Sequence, residues 1–271
     1  YLPAADRHGL VLDFTRGIER KQQLAAQIAE LYADPNVADA GQATRAARAD
    51  LAALEMEQAR QQPVVEAILQ EQAAVILQEM GLAAGGAAVP PVAFHLSDLP
   101  LAVVVSPRSV IRQDANVQID PDLPLDEQVR VESSIEAAYD VSALVVGLGG
   151  IGTYPTMVAE SSALPWVLEV VAHEWTHNYL TLRPLGLMYD VSPELRTMNE
   201  TAASLMGKEV GRRVLERYYP ELIPAEPAVP VVSAEGARAH EPLPPPPPAF
   251  DFRMEMRETR VTVDGLLEQG Q

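Results

Sequence analysis

Hydrophobic positions recur at helical spacing through the first third of the chain and give way to short apolar runs in the middle. Phe14, Ile18, Leu24, Ile28 and Leu31 predict a helix that starts near Asp13 or Thr15 and ends at Tyr32, stopped by Asp34-Pro35-Asn36. A second helix is expected over about residues 42–62, a stretch rich in Ala, Arg, Glu and Gln. Its Leu51 and Leu54 continue through Gln58, Gln61, Val65, Ile68, Gln72 and Val75, a heptad-like seam diluted by glutamine. Pro63 should kink or break that seam, and it makes a good first residue for a third helix over 64–80, with Gly81 as its left-handed cap.

After Gly85-Gly86 the texture changes. Residues 92–96, 101–106, 110–111 and 117–120 are short apolar or β-branched runs fenced by Pro90, Pro91, Pro100 and Pro107, and they read as strands. An acidic helix is expected over 126–139 and an extended run over 142–158. An apolar helix follows, carrying Val167, Leu168, Val170, Val171 and Leu180, with Ser161 or Ser162 as N-cap and Pro165 in its first turn. The next helix is capped by Ser192, opens at Pro193 and runs to about Tyr218. This order is α+β, not a regular βαβ alternation.

The expected organisation is a helical arm or hairpin over 1–62, a body over 63–223, a proline-rich linker over 224–248 and a C-terminal helical segment over 249–271. The arm reads either as a device for self-association through the N-terminal helices or as an antiparallel hairpin packed on its own protein. The polar seam favours the hairpin.

Composition narrows the chemistry. The net charge of −18 argues against nucleic acid as a partner, because phosphate binding needs Lys and Arg gathered on one face. The absence of cysteine excludes disulfides, thiolate metal sites and cysteine nucleophiles together. No run of eighteen apolar residues occurs, so no membrane span is expected. A chain that opens on Tyr1 and lacks cysteine suggests a cell-envelope or extracytoplasmic protein with a removed N-terminal anchor, with a cytoplasmic location as the alternative.

Gly147-Leu148-Gly149-Gly150-Ile151-Gly152 matches a dinucleotide fingerprint, but no helix opens there to face a pyrophosphate. Thr153-Tyr154-Pro155 follows and reads as extended chain. The glycines are better read as stripping side chains from an edge strand, so that a substrate backbone can approach.

The richest motif is His173-Glu174-Trp175-Thr176-His177. On a helix its two imidazoles stand one turn apart on one face, close enough to share a metal ion, with Glu174 on the neighbouring flank as a general base. Two histidines on so apolar a helix would otherwise need hydrogen-bond partners in the core. A catalytic metal wants a third protein ligand, and Glu200, in Met198-Asn199-Glu200-Thr201, is the best placed. Ala203, Ser204, Gly207 and Gly211 beside it are small, which would let the two helices approach. His8, His95 and His240 lie in other segments.

HExxH on one helix and Asn199-Glu200 on the next resemble the gluzincins, a group of zinc metallopeptidases, over roughly residues 90–220. The resemblance implies a zincin-like domain, with a small mixed sheet whose edge strand lies over the HExxH helix and a helical C-terminal part, here preceded by the helical hairpin. It implies Zn2+ held by His173, His177 and Glu200, a zinc-bound water activated by Glu174, and a peptide or protein substrate paired along residues 149–158. Tyr154 and Tyr189 are the catalytic candidates for stabilising an oxyanion, followed by Tyr179 and Arg183. Ser204 departs from the family pattern, which has a carboxylate at that position to orient a histidine, and Glu169 is the substitute considered. Endopeptidase and aminopeptidase remain open, because no carboxylate that could hold a free substrate amine is located. The alternative from another class is a scaffold protein with a degenerate zincin body, acting through its helical arm and proline-rich tail.

Overall fold

In the computed structural model, residues 2–223 and 252–270 are described. The expected linker over 224–248, His240 within it, and the ends of the C-terminal segment lie outside the described residues. In chain order the elements are α1 (Ala4–Ala33), α2 (Ala40–Ala43), α3 (Arg45–Glu79), β1 (Ala83–Ala84), β2 (Ala87–Ala88), β3 (Phe94–Ser97), β4 (Leu101–Pro107), β5 (Ala115–Ile119) and α4 (Leu125–Tyr139). They continue as β6 (Val141–Gly147), β7 (Gly150–Ile151), β8 (Thr156–Ala159), α5 (Leu164–Leu180), α6 (Pro184–Leu187), α7 (Pro193–Tyr218) and α8 (Phe252–Glu268). The class is α+β. No helix among the described residues is long and apolar enough to cross a membrane.

The chain divides into two compact units. The larger comprises 1–102, 118–123 and 146–223. In it α1 and α3 form an antiparallel hairpin: Arg7 pairs with Glu71 at one end, and Gln58 Nε2 donates to the Phe14 carbonyl at 3.0 Å further along. The helix expected to start near Asp13 starts at Ala4, because Val11 is fully buried and its turn belongs to the same apolar face as Phe14 and Ile18. The break expected at Pro63 is absent. One 35-residue helix runs through it, so the boundary drawn at residue 62 falls inside α3. An interior proline costs a helix about 3 kcal/mol. Burial of Val65, Ile68 and Leu69 just beyond it, at roughly 1.5–3 kcal/mol each, offsets that cost. Gly81, at φ 80°, ends α3 as expected, with Leu82 N–H donating to the Leu77 carbonyl at 2.9 Å.

One core joins the hairpin to the body. Val11, Phe14 and Ile18 of α1 and the apolar face of α3 pack in the same cluster as Val158 of β8, Leu168, Val171 and Trp175 of α5, and Val210 and Val214 of α7. The glutamines that dilute the α3 seam have partners: Gln58 Nε2 donates to the Phe14 carbonyl, Gln61 Nε2 donates to Glu57 at 2.7 Å, and Gln72 Oε1 accepts from the Tyr219 hydroxyl at 3.0 Å. Off that seam, Gln62 Nε2 donates to the Leu96 carbonyl at 2.6 Å and Gln70 Nε2 to that of Phe94 at 2.9 Å. Buried Glu66 accepts from the Leu96 N–H at 2.8 Å. These bonds satisfy the edge of β3 that faces away from β8.

The sheet of this unit has the order β3-β8-β7, with β3 parallel to β8 and β7 antiparallel to it, so it is small and mixed as expected. The extended run over 149–158 is therefore two strands and a turn. Of these two strands β8, with its fully buried Val158, is central and β7 forms an edge of the sheet.

Of the described residues, the smaller unit comprises 103–117, 124–145 and 252–270. Its strands order β5-β4-β6. Glu132 and Glu136 of α4 accept from the N–H groups of Val145 and Ala143. Residues 110–111, expected as a strand, lie in the connection between β4 and β5, where Ser106 Oγ donates to the Arg112 carbonyl at 2.5 Å.

Candidate metal centre

Two helices build the site. The N-cap of α5 is Ala163, not Ser161 or Ser162, and Pro165 occupies its first turn as expected. Trp175 anchors α5 by donating from its indole nitrogen to the Pro90 carbonyl at 2.8 Å. Ser192 caps α7, accepting from the Leu195 N–H at 3.3 Å, with Pro193 in its first turn.

The small residues of α7 set the spacing. A Cβ on Gly207 would come within 2.6 Å of the Glu169 carbonyl oxygen, and one on Gly211 within 3.1 Å of Glu169 Cγ. Both helices therefore meet at van der Waals contact, which carries Glu200 to the histidine pair.

His173 Nε2 and His177 Nε2 lie 3.1 Å apart, and Glu200 Oε2 stands 3.4 Å from the first and 3.5 Å from the second. Three N/O ligands of a tetrahedral ion at about 2.0–2.2 Å are separated by about 3.3–3.6 Å. The donor set fits a metal ion.

Polarity points the same way. Asn199 is buried and donates from Nδ2 to the Leu185 carbonyl at 3.1 Å, so its Oδ1 faces His177 Nδ1 at 2.8 Å. The imidazole must donate from Nδ1, which turns the lone pair of Nε2 toward His173 and Glu200. Acceptors converging this closely repel one another unless a positive charge sits among them. In the metal-free protein a proton supplies part of it. Burial opposes the imidazolium of His177, but the hydrogen bond and charge of Glu200 outweigh burial and raise its pKa. Glu200 is held well below the usual carboxylate range, first by its hydrogen bonds to His173 and His177 and then by Tyr189.

Glu174 is buried, and its pKa is raised by loss of solvent, against the lowering charges of His177 and His173. It lies under β7. A Cβ on Gly150 would stand 2.7 Å from Glu174 Oε1, and one on Gly152 would stand 3.3 Å from Oε2. The glycine run expected to admit a substrate backbone makes room, at these two positions, for a carboxylate of the protein's own.

The tyrosine candidates separate. Tyr189 donates to Glu200 Oε1 at 2.5 Å and meets the His177 ring edge-on, its pKa raised by burial and then by Glu200. Tyr154 is half exposed in the β7–β8 turn and donates to the Pro91 carbonyl at 3.3 Å. Tyr179 stacks on Trp175 and lies under the Arg183 guanidinium. Of these side chains, Tyr189 is the one brought to the ligand set.

His8 bonds Glu221 and His95 bonds Glu66, away from the centre. Glu169 makes no hydrogen bond to His173 among the described residues. Asn199 orients the other histidine instead. Sequence reasoning assigned Asn199 no role, and the available signal was an asparagine next to a ligand on a helix face that must be buried.

A cleft of about 310 Å³ opens beside the centre, between β7, α5 and α7. It is lined by Gly149, Gly150, Trp166, Glu169, His173 and Glu174, and by Ser204 and Lys208 on the α7 side.

No protein-family model matches the chain, and neither the curated proteins nor the solved structures contain a match to it.

Proposed function

We propose that the protein is a zinc-dependent peptidase of the gluzincin type, in a zincin-like domain. The observation that carries this reading is the triangle of His173 Nε2, His177 Nε2 and Glu200 Oε2, with edges of 3.1, 3.4 and 3.5 Å, beside the buried carboxylate of Glu174. His173, His177 and Glu200 would hold the ion, and zinc is the best fit to a two-imidazole, one-carboxylate set with room for a fourth ligand. Bound there, it supplies Lewis acidity toward water and a carbonyl oxygen.

The other steps belong to the chain. Glu174, its pKa raised by burial, takes a proton from the attacking water and delivers it to the leaving amine. Asn199 and Tyr189 hold His177 and Glu200 in place. The β7 edge offers backbone groups to an extended substrate beside the cleft. The water adds to the carbonyl carbon, the C–N bond breaks, and a carboxylate and an amine leave.

Glu174→Gln with metal content measured alongside peptide hydrolysis tests this. Retained metal with turnover lowered at least a hundredfold is expected. Full turnover in that variant would remove Glu174 as the base, and a wild-type protein that retains no zinc after dialysis would overturn the metal assignment.

A further inference from the structure

Glu169 is half-buried on α5, one turn before His173, and lines the cleft. Its backbone and Cγ are fixed against α7, because a Cβ on Gly207 or Gly211 would touch them. Among the described residues its carboxylate has no hydrogen-bond or ion-pair partner. A partly desolvated carboxylate without a partner is unfavourable until a donor arrives. Trp166, three residues earlier on the same helical face, forms the neighbouring wall. A Cβ on Gly149 would stand 3.0 Å from Trp166 Cζ2, so the indole lies directly against the β7 edge.

A fixed carboxylate next to an indole is a chemical match for a cation, which an aromatic face also attracts. Lys208, across the cleft on α7, is the one opposing charge in the lining besides the histidine. It is exposed and shared with a second cleft beside Glu200 and Ser204. The anchored group in the cleft is therefore the carboxylate, and Lys208 stands at the mouth.

We propose that this cleft is a substrate subsite for a cation, in which Glu169 and Trp166 hold an ammonium or guanidinium adjacent to the bond that is cut. The proposal rests on the peptidase reading. The cation has two sources, a Lys or Arg side chain beside the scissile bond or the free amino terminus of the substrate. Glu169 is a specificity residue in either case.

The experiment has two readouts on the full chain. Cleavage sites are mapped on a randomised peptide library, once with free and once with acetylated amino termini, for wild type, Glu169→Gln and Lys208→Met. Binding of amidated peptides is measured by calorimetry on Glu174→Gln and on the Glu174→Gln, Glu169→Gln pair, comparing Lys with its uncharged isostere norleucine in acetylated peptides and free with acetylated amino termini in the norleucine peptides. Wild type should favour Lys and Arg at one position flanking the bond, or should require a free amino terminus. The isosteric Glu169→Gln should lower kcat/KM for the cationic substrate at least tenfold while neutral substrates are cut as before, and Lys208→Met should sharpen the preference. Lys should bind more tightly than norleucine, or a free amino terminus more tightly than an acetylated one, only where Glu169 is present. Cation preference unchanged in Glu169→Gln, or binding that gains from neither the Lys side chain nor the free amino terminus, would overturn the subsite. If wild type cuts nothing, the peptidase reading fails, and the binding readout still decides whether the cleft takes a cation.

Discussion

Asn199 Oδ1 and His177 Nδ1 lie 2.8 Å apart, and the asparagine is itself locked by the Leu185 carbonyl. The nitrogen that His177 turns toward His173 and Glu200 is thus selected by an amide on the neighbouring helix. Asn199→Ala should weaken zinc binding about ten- to hundredfold, while Asn199→Asp retains the acceptor and most of the affinity. Competition with a chromophoric chelator measures both.

Tyr189 bonds the second oxygen of Glu200, which makes it a positioning residue. Tyr189→Phe should lower metal affinity, by about tenfold, and leave kcat at saturating zinc within a fewfold of wild type. A fall of two orders of magnitude in kcat at unchanged affinity would identify it as an oxyanion donor instead. Glu200→Ala removes the proposed third ligand and should abolish stoichiometric binding.

Gly150→Ala would press a methyl group against Glu174 Oε1 and Cγ and against Val170 Cγ1, all within 3 Å. The carboxylate must move. Turnover should fall at least tenfold with zinc still bound. Gly207→Ala meets a backbone oxygen of α5, which cannot rotate away, so the helices must part. That variant should lose about 1–3 kcal/mol of stability and bind zinc more weakly, as read from urea unfolding and metal titration.

The metal-free protein should have a defined pH window of greatest stability. Glu200 has a depressed folded pKa, so its contribution is present above its unfolded value of about 4.3 and is lost as pH falls through the folded one. His177 has a raised folded pKa, so its contribution is present below its unfolded value of about 6.5 and is lost as pH rises through the folded one. Both are present between about pH 4.5 and 6.5. Zinc requires the neutral imidazole, so protons compete with it on the acid side. The gain in Tm on adding zinc should therefore widen from pH 6 to pH 8, and calorimetry in both states checks it.

With Glu174 as the base, its protonation should close turnover on the acid side, and Glu174→Asp should move that limb with the shorter side chain. A pH–rate profile on the zinc-loaded protein reads it.

The site was legible where local chemistry decides. Two histidines at helical spacing and a glutamate among small residues are short-range patterns, and the pair of helices that carries them is capped by Ser192 and opened by Pro165 and Pro193 as the residues suggest. The fold was less legible where packing overrides propensity. Pro63 signals a break by itself, and only burial of the residues around it on α1, β3 and α5 keeps α3 continuous. Gln58 and Gln72 of α3 read as a poor coiled-coil seam because their partners, the Phe14 carbonyl and the Tyr219 hydroxyl, are invisible in a one-dimensional pattern. The spacing of Glu169 from His173 on α5 suggests that it orients that histidine. Its place in the cleft wall depends on the approach of α7 and could not be read from α5 alone.

The side-chain bonds from Gln62, Glu66 and Gln70 to β3 have a consequence for self-recognition. A sheet that accepts extended chains at one border invites its own copies to stack on the other, as unpaired strand borders template growth. Here the far border is closed by a helix with its amide and carboxylate side chains. Among the described residues only the β7 side of this sheet is left for pairing with another strand, so copies could meet there in pairs but could not stack onward through both borders.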